Sequence, residues 1–204
     1  EDRAKTFVSK VLATTEDAWG EQFNRMRRTY RQPTLVLYTD ATGTACGYGE
    51  AAVGPFYCPA DQRVYLDLTF FAELSQRFGS PGDFAQAYVV AHEVGHHVQK
   101  LLGQRGEGAG ARGGTVRLEL QADCYAGVWG AWAKRHGMLD AGDPDEAIRA
   151  ATAIGDDTLQ RRARGRVAPD TFTHGTSAQR VKWFKRGLST GDPAQCDTFR
   201  ARDL

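Results

Sequence analysis

The chain has 204 residues, 41% of them hydrophobic and 25% charged, with 26 basic against 25 acidic side chains and a net charge of +1. A globular domain of this length buries roughly 70% of its unfolded-chain surface, which excludes disorder, and the balanced charge argues against a dedicated nucleic-acid binder. No run of about 18 apolar residues occurs, so no segment is expected to span a bilayer as a helix.

In residues 1–31, Phe7, Val8, Val11 and Leu12, then Trp19, Phe23 and Met26, recur at helical spacing. Thr14-Thr15 reads as a cap between two N-terminal helices. Residues 33–71 change to β-branched and aromatic runs punctuated by Gly and Pro, which predicts a small antiparallel sheet. Its segment from Ala51 to Tyr57, with Val64 to Leu68 after it, is the best edge-strand candidate.

Ser80-Pro81-Gly82-Asp83 supplies an N-cap, a first-turn Pro and an acid, predicting a helix from about 81 to 102 that stops at Gly103. Residues 104–114 hold five glycines and no large apolar side chain, and read as a loop. A second long helix covers about 115–136 and ends at His136-Gly137. Asp143-Pro144-Asp145-Glu146 opens a third, and Thr176-Ser177-Ala178-Gln179 is a capping box ahead of Trp183-Phe184. Asp156, Asp157 and Asp170 read as caps and turn residues. Together these predict one α+β domain over 1–204: N-terminal helices (1–31), a small sheet (33–71), two long central helices (81–137) and a C-terminal helical part (143–204).

The cysteines Cys46, Cys58, Cys124 and Cys196 form no CxxC pair, which removes zinc-ribbon and thioredoxin readings. Four cysteines allow three pairings. Cys46 and Cys58 flank a short turn-rich stretch and pair most naturally, leaving Cys124 with Cys196; two such bonds imply an oxidising compartment. The chain opens Glu1-Asp2-Arg3 without Met or a signal-like run, so any targeting segment is expected to have been removed.

The chemistry centres on His92-Glu93-Val94-Gly95-His96, inside the first central helix. Two His four residues apart project from one helix face and suit a single tetrahedral ion, while Glu93 lies beside that face, placed to reach a water rather than to ligate. Catalytic zinc takes three protein ligands. Gln99 and Leu102 stand where a metzincin would place Gly and His, so the third ligand is sought elsewhere. Glu119-Leu120-Gln121-Ala122-Asp123 puts two carboxylates on one face of the second central helix. Glu119 is the expected third ligand and Asp123 the acceptor for the free ring nitrogen of a ligating His. Small residues, Ala91 and Gly95 on one helix and Ala122, Ala126 and Gly127 on the other, would let the two approach. His174, in a Gly-flanked turn, is the candidate donor to a tetrahedral oxyanion, with Tyr125 in reserve. His97 and His136 read as packing and helix-end residues.

HExxH followed by ExxAD is the gluzincin pattern. With Gly54-Pro55-Phe56-Tyr57-Cys58-Pro59-Ala60-Asp61, Ala91 to Gln99, Glu119 to Cys124 and Thr173-His174-Gly175-Thr176-Ser177, the chain resembles the bacterial neutral zinc metallopeptidase family from about residue 45 to Phe199. The resemblance implies a zincin-like domain that binds Zn2+ and cleaves a peptide or protein substrate. It also implies an N-terminal membrane anchor, absent from this chain, and a bacterial cell-envelope location. The competing expectation is a non-catalytic, zinc-stabilised scaffold or interaction domain at the envelope, in which the ion only ties two helices together.

Overall fold

Helix α1 runs unbroken over Asp2–Arg25 and buries Val8, Val11, Leu12, Trp19 and Phe23 along one stripe, in a computed structural model that describes residues 2–39, 41–50, 55–70, 82–104, 110–155 and 173–204. The expected break into two helices does not occur. Thr14 and Thr15 instead donate their hydroxyls to the carbonyls of Val11 and Leu12, each at 2.6 Å, so the pair is satisfied inside the helix.

Five strands follow: β1 (Thr34–Tyr38), β2 (Ala41–Thr44), β3 (Gly47–Glu50), β4 (Phe56–Cys58) and β5 (Arg63–Asp67). β2 and β3 form a hairpin, while the other sheet has the order β1-β5-β4. The α+β class holds, but this sheet is mixed rather than antiparallel. β4 pairs β5 antiparallel through a short turn, whereas β1 pairs β5 in parallel, Val36 opposite Tyr65. The reason is the intervening hairpin and β4, which give the chain length to cross back. β4 and β1 are the two edges of this sheet; the expected edge segment from Val64 onward is instead the central strand β5, paired on both sides, and residues 51–54 lie outside the described residues.

Helix α2 (Asp83–Leu102) passes through the core and is buried on nearly every side from Phe84 to Gln99. It ends as expected at Gly103, whose φ of 71° is the left-handed conformation that closes a helix. Ser80 and Pro81 lie outside the described residues; the first turn is served by Glu146, whose Oε2 accepts from the Phe84 amide at 3.2 Å. α3 covers Gly110–Arg135, beginning about a turn and a half before the expected 115, and residues 105–109 of the glycine-rich stretch lie outside the described residues. α4 (Asp143–Ala153) and α5 (Ser177–Thr190) complete the helices, with a 3₁₀ turn at Pro193–Cys196. The capping box of α5 is formed in both directions: Thr176 Oγ1 accepts from the Gln179 amide and Gln179 Oε1 from the Thr176 amide. Asp156, Asp157 and Asp170 lie outside the described residues.

Small residues set the spacing of α2, α3 and α5. A Cβ on Gly95 would stand 3.0 Å from the Ala122 carbonyl oxygen, so α2 and α3 touch midway between the two carboxylates of α3. Gly127 serves the other side of α3, not α2 as expected: a Cβ there would lie 2.1 Å from the Phe184 carbonyl oxygen of α5. Gly187 answers from α5, where a Cβ would lie 1.9 Å from the Cys124 carbonyl oxygen. Disulfides join Cys46 to Cys58 and Cys124 to Cys196, tying the β2–β3 turn to β4 and the C-terminal tail to α3. Among the described residues no helix is long and apolar enough to cross a membrane.

Candidate metal centre

α2 and α3 bring His92, His96 and Glu119 together. His92 Nε2 lies 3.1 Å from Glu119 Oε2, and His96 Nε2 lies 3.3 Å from Glu119 Oε1. Donor atoms of a tetrahedral zinc with bonds of about 2.0–2.1 Å stand about 3.4 Å apart, so both separations match a shared ion. Two imidazoles and one carboxylate are also a donor set of catalytic zinc. Glu93 is on the same helix, buried, and its carboxylate makes no hydrogen bond to another described residue.

The outer nitrogens of the two histidines are held differently. His92 Nδ1 lies 2.8 Å from Asp123 Oδ1, the partner expected from sequence. Asp123 is fully buried and receives more than the ring: Tyr88 Oη donates to Oδ1 at 2.5 Å, and Arg180 grips both oxygens, Nε to Oδ2 at 2.9 Å and Nη2 to Oδ1 at 3.0 Å. The guanidinium is completed by the Ile154 carbonyl, which accepts from Nη1. Sequence reasoning missed Arg180 and Tyr88. Arg180 shares a helix face with Trp183, Phe184 and Gly187, a spacing that puts a charged residue on the buried side and could have signalled a buried partner, whereas Tyr88 reads as one more apolar residue of α2. His96 Nδ1 faces Gln99 Oε1 at 2.8 Å, also missed.

The charges of this frame favour a cation. Burial alone makes both imidazoles harder to protonate, yet Asp123 and Glu119 push His92 up to about 10, and Glu119 raises His96. Glu119, despite burial, is held well below the usual carboxylate range by His96 and His92. Asp123 is brought down to about 2 against its burial by Arg180 and His92. Glu93 goes the other way, raised by burial against the opposing charges of His92, His96 and, more weakly, His174.

His174 is exposed, and its Nδ1 lies 2.8 Å from Thr173 Oγ1. Gly175, at φ 92°, lies against Leu120 and Val116 of α3, the residues flanking the Glu119 turn, and so seats the His174 loop beside the centre. Tyr125 is placed elsewhere. It is about 120° around α3 from Glu119 and packs edge-on against Trp19. With Gln121, Asp197 and Arg200 it lines a separate cavity of about 490 Å³. His97 bridges Tyr57 Oη of β4 at 2.9 Å and the Arg31 carbonyl at 2.6 Å. His136 stacks on Trp132 at the end of α3.

The sequence profile of the family described as "Putative neutral zinc metallopeptidase" matches residues 1–199. The chain is 57% identical over 208 residues to the uncharacterized protein YpfJ of Escherichia coli strain K12, covering 98% of this chain and 72% of that protein. It is 46% identical over 216 residues to the uncharacterized proteins Rv2575 of Mycobacterium tuberculosis H37Rv and Mb2605 of Mycobacterium bovis, covering 98% of this chain and 74% of each. No solved structure matches it. With the profile spanning nearly its whole length, and with two histidines and a glutamate set at zinc-ligand spacing, the chain belongs to the putative neutral zinc metallopeptidase family.

Proposed function

We propose that this protein is a zinc-dependent endopeptidase in which His92, His96 and Glu119 hold the ion and Glu93 is the general base. The observation that carries the reading is the approach of the His92 and His96 Nε2 atoms to the Glu119 carboxylate, at 3.1 and 3.3 Å, beside the buried carboxylate of Glu93. When bound, zinc polarises a scissile carbonyl and makes water a nucleophile near neutral pH. Glu93 takes the proton from the attacking water and returns it to the departing amine. Asp123, locked by Arg180 and Tyr88, accepts from His92 Nδ1–H and so keeps the lone pair of Nε2 directed at the ion. His174, preceding the Gly175 that lies against Leu120 and Val116 beside Glu119, donates to the oxyanion as it forms. An extended peptide adds to the outer strand β4, which Tyr57 and His97 tie to α2.

The two disulfides support an extracytoplasmic setting, and a cell-envelope protein with a membrane anchor is the form of this proposal that follows the family resemblance. The test is a digest of an unbiased peptide library by zinc-loaded wild type beside Glu93→Gln and His174→Ala. We expect cleavage by wild type, none by a folded and zinc-bound Glu93→Gln, and kcat lower by about 10²- to 10³-fold at little change in KM for His174→Ala. Absence of cleavage by a folded, zinc-loaded wild type would leave a zinc-stabilised scaffold as the better reading. Unchanged kcat in His174→Ala would remove that residue from the mechanism.

A further inference from the structure

The amide that holds His96 can turn either end toward the ring, and the end it presents decides which ring nitrogen carries the proton. Gln99 Nε2 lies 2.8 Å from the Leu118 carbonyl and 3.0 Å from Gln121 Oε1. Gln121 Nε2 in turn lies 3.0 Å from the Cys196 carbonyl. A backbone carbonyl only accepts. Gln121 therefore turns its NH₂ to Cys196 and its oxygen to Gln99; Gln99 turns its NH₂ to Gln121 and Leu118 and its oxygen to His96. His96 Nδ1 must then donate, which leaves the lone pair on Nε2, the nitrogen that faces Glu119. Both glutamines are buried, at 4% and 2% exposure; Gln121 borders the cavity that Tyr125 lines, so reversing the Gln99 amide is the costlier of the two.

We propose that Gln99 and Gln121 are positioning residues that relay the polarity of the Leu118 and Cys196 carbonyls to His96 and set it in the Nδ1–H form that binds metal through Nε2. The proposal rests on His92, His96 and Glu119 being the metal ligands. It makes the C-terminal tail a working part of the metal centre, although no tail side chain belongs to the ligand set. The disulfide of Cys196 to Cys124 and the paired bonds between Arg117 and Thr198 fix that carbonyl against α3. The two histidines are thus oriented by unlike means: a carboxylate locked by an arginine for one, a chain of amides ending on a backbone carbonyl for the other.

The experiment measures zinc affinity by chelator competition for wild type, Glu119→Ala, Gln99→Met, Gln121→Met and the double glutamine variant, with melting of each zinc-free protein. It also follows the His96 ring N–H proton of the zinc-loaded proteins by NMR. We expect Gln99→Met to weaken zinc by about 10- to 100-fold and Gln121→Met by about 3- to 10-fold. The double variant should be no weaker than Gln99→Met alone, because Gln121 acts through Gln99. The His96 N–H should exchange slowly in wild type, faster in Gln121→Met and fastest in Gln99→Met. Additive losses in the double variant, or unchanged affinity and N–H exchange in Gln121→Met, would overturn the relay while wild type still binds zinc tightly. Equal zinc affinity in wild type and Glu119→Ala would overturn the ligand assignment and the relay with it. If a variant melts too low for affinity work, N–H exchange in the other variant decides.

Discussion

The helices around the metal centre and the strands beside it are held by opposite means. α3 and α5 meet backbone to backbone, Gly127 and Gly187 each lying where one added carbon would strike the other helix's main chain. The sheet is packed differently on its two faces: Val64 and Leu66 are fully buried in the main core, with Leu35 and Leu37 against it, whereas Tyr38, Cys58 and Tyr65 make a small cluster of their own, with Phe56 stacked on Tyr65 at 4.9 Å. That small cluster is held by the Cys46–Cys58 bond and by polar ties such as Tyr65 Oη to Asp61 at 2.7 Å. Close packing fixes position to fractions of an ångström but tolerates no added volume, whereas a staple tolerates change around it and fails when it is cut. The metal-centre residues all come from the first kind of region, as a donor set with a fixed ion radius requires.

The largest expected effect is on the packed side. Gly187→Ala should cost on the order of 3 kcal/mol or more by urea unfolding, because the obstacle is the Cys124 carbonyl rather than a side chain that can turn away. It should also weaken zinc binding, since α5 carries Arg180. A variant with wild-type stability would show that the helices can separate cheaply, and the contrast would fall.

Next, replacing Cys46 and Cys58 together by Ser should remove about 3 kcal/mol, the loop-closure value for a separation of 12 residues. Zinc affinity should stay within about twofold, because no metal-centre residue is on these strands. A parallel loss of zinc would mean that the sheet helps to place the centre after all.

The smallest effect belongs to the contact between the two regions. Tyr57→Phe removes the bond to His97 and should cost about 1 kcal/mol, with zinc affinity unchanged. If Tyr57→Phe costs more than the disulfide variant, the boundary and not the staple holds the sheet in place.

What was legible in the sequence had a short period. HExxH and ExxAD each repeat at four residues, so one helix turn puts their members on a common face, and Gly95 with Ala122 announces how near the two helices come. The α5 capping box was equally local. What escaped lies at long separation. Arg180 meets Asp123 across 57 residues, and Gln121 meets the Cys196 carbonyl across 75. A backbone carbonyl has no letter in the sequence at all. The N-terminal helix was misjudged for a different reason: a threonine hydroxyl can cap a following helix or bond back within its own, and burial of Thr15 beside Leu12 and Trp19 selected the second.

The Cys124–Cys196 bond has one more consequence, for a protein that meets peptidases. It joins the two ends of a 72-residue stretch that includes α4, the His174 turn and α5. A single backbone cut anywhere between those cysteines therefore yields two pieces that stay one molecule, and where the cut falls before Arg180, that residue on one piece still grips Asp123 on the other. Such a nicked protein would run as one band without reductant and as two with it. The candidate metal-binding residues His92, His96 and Glu119, all on the N-terminal piece, would remain connected through unbroken chain.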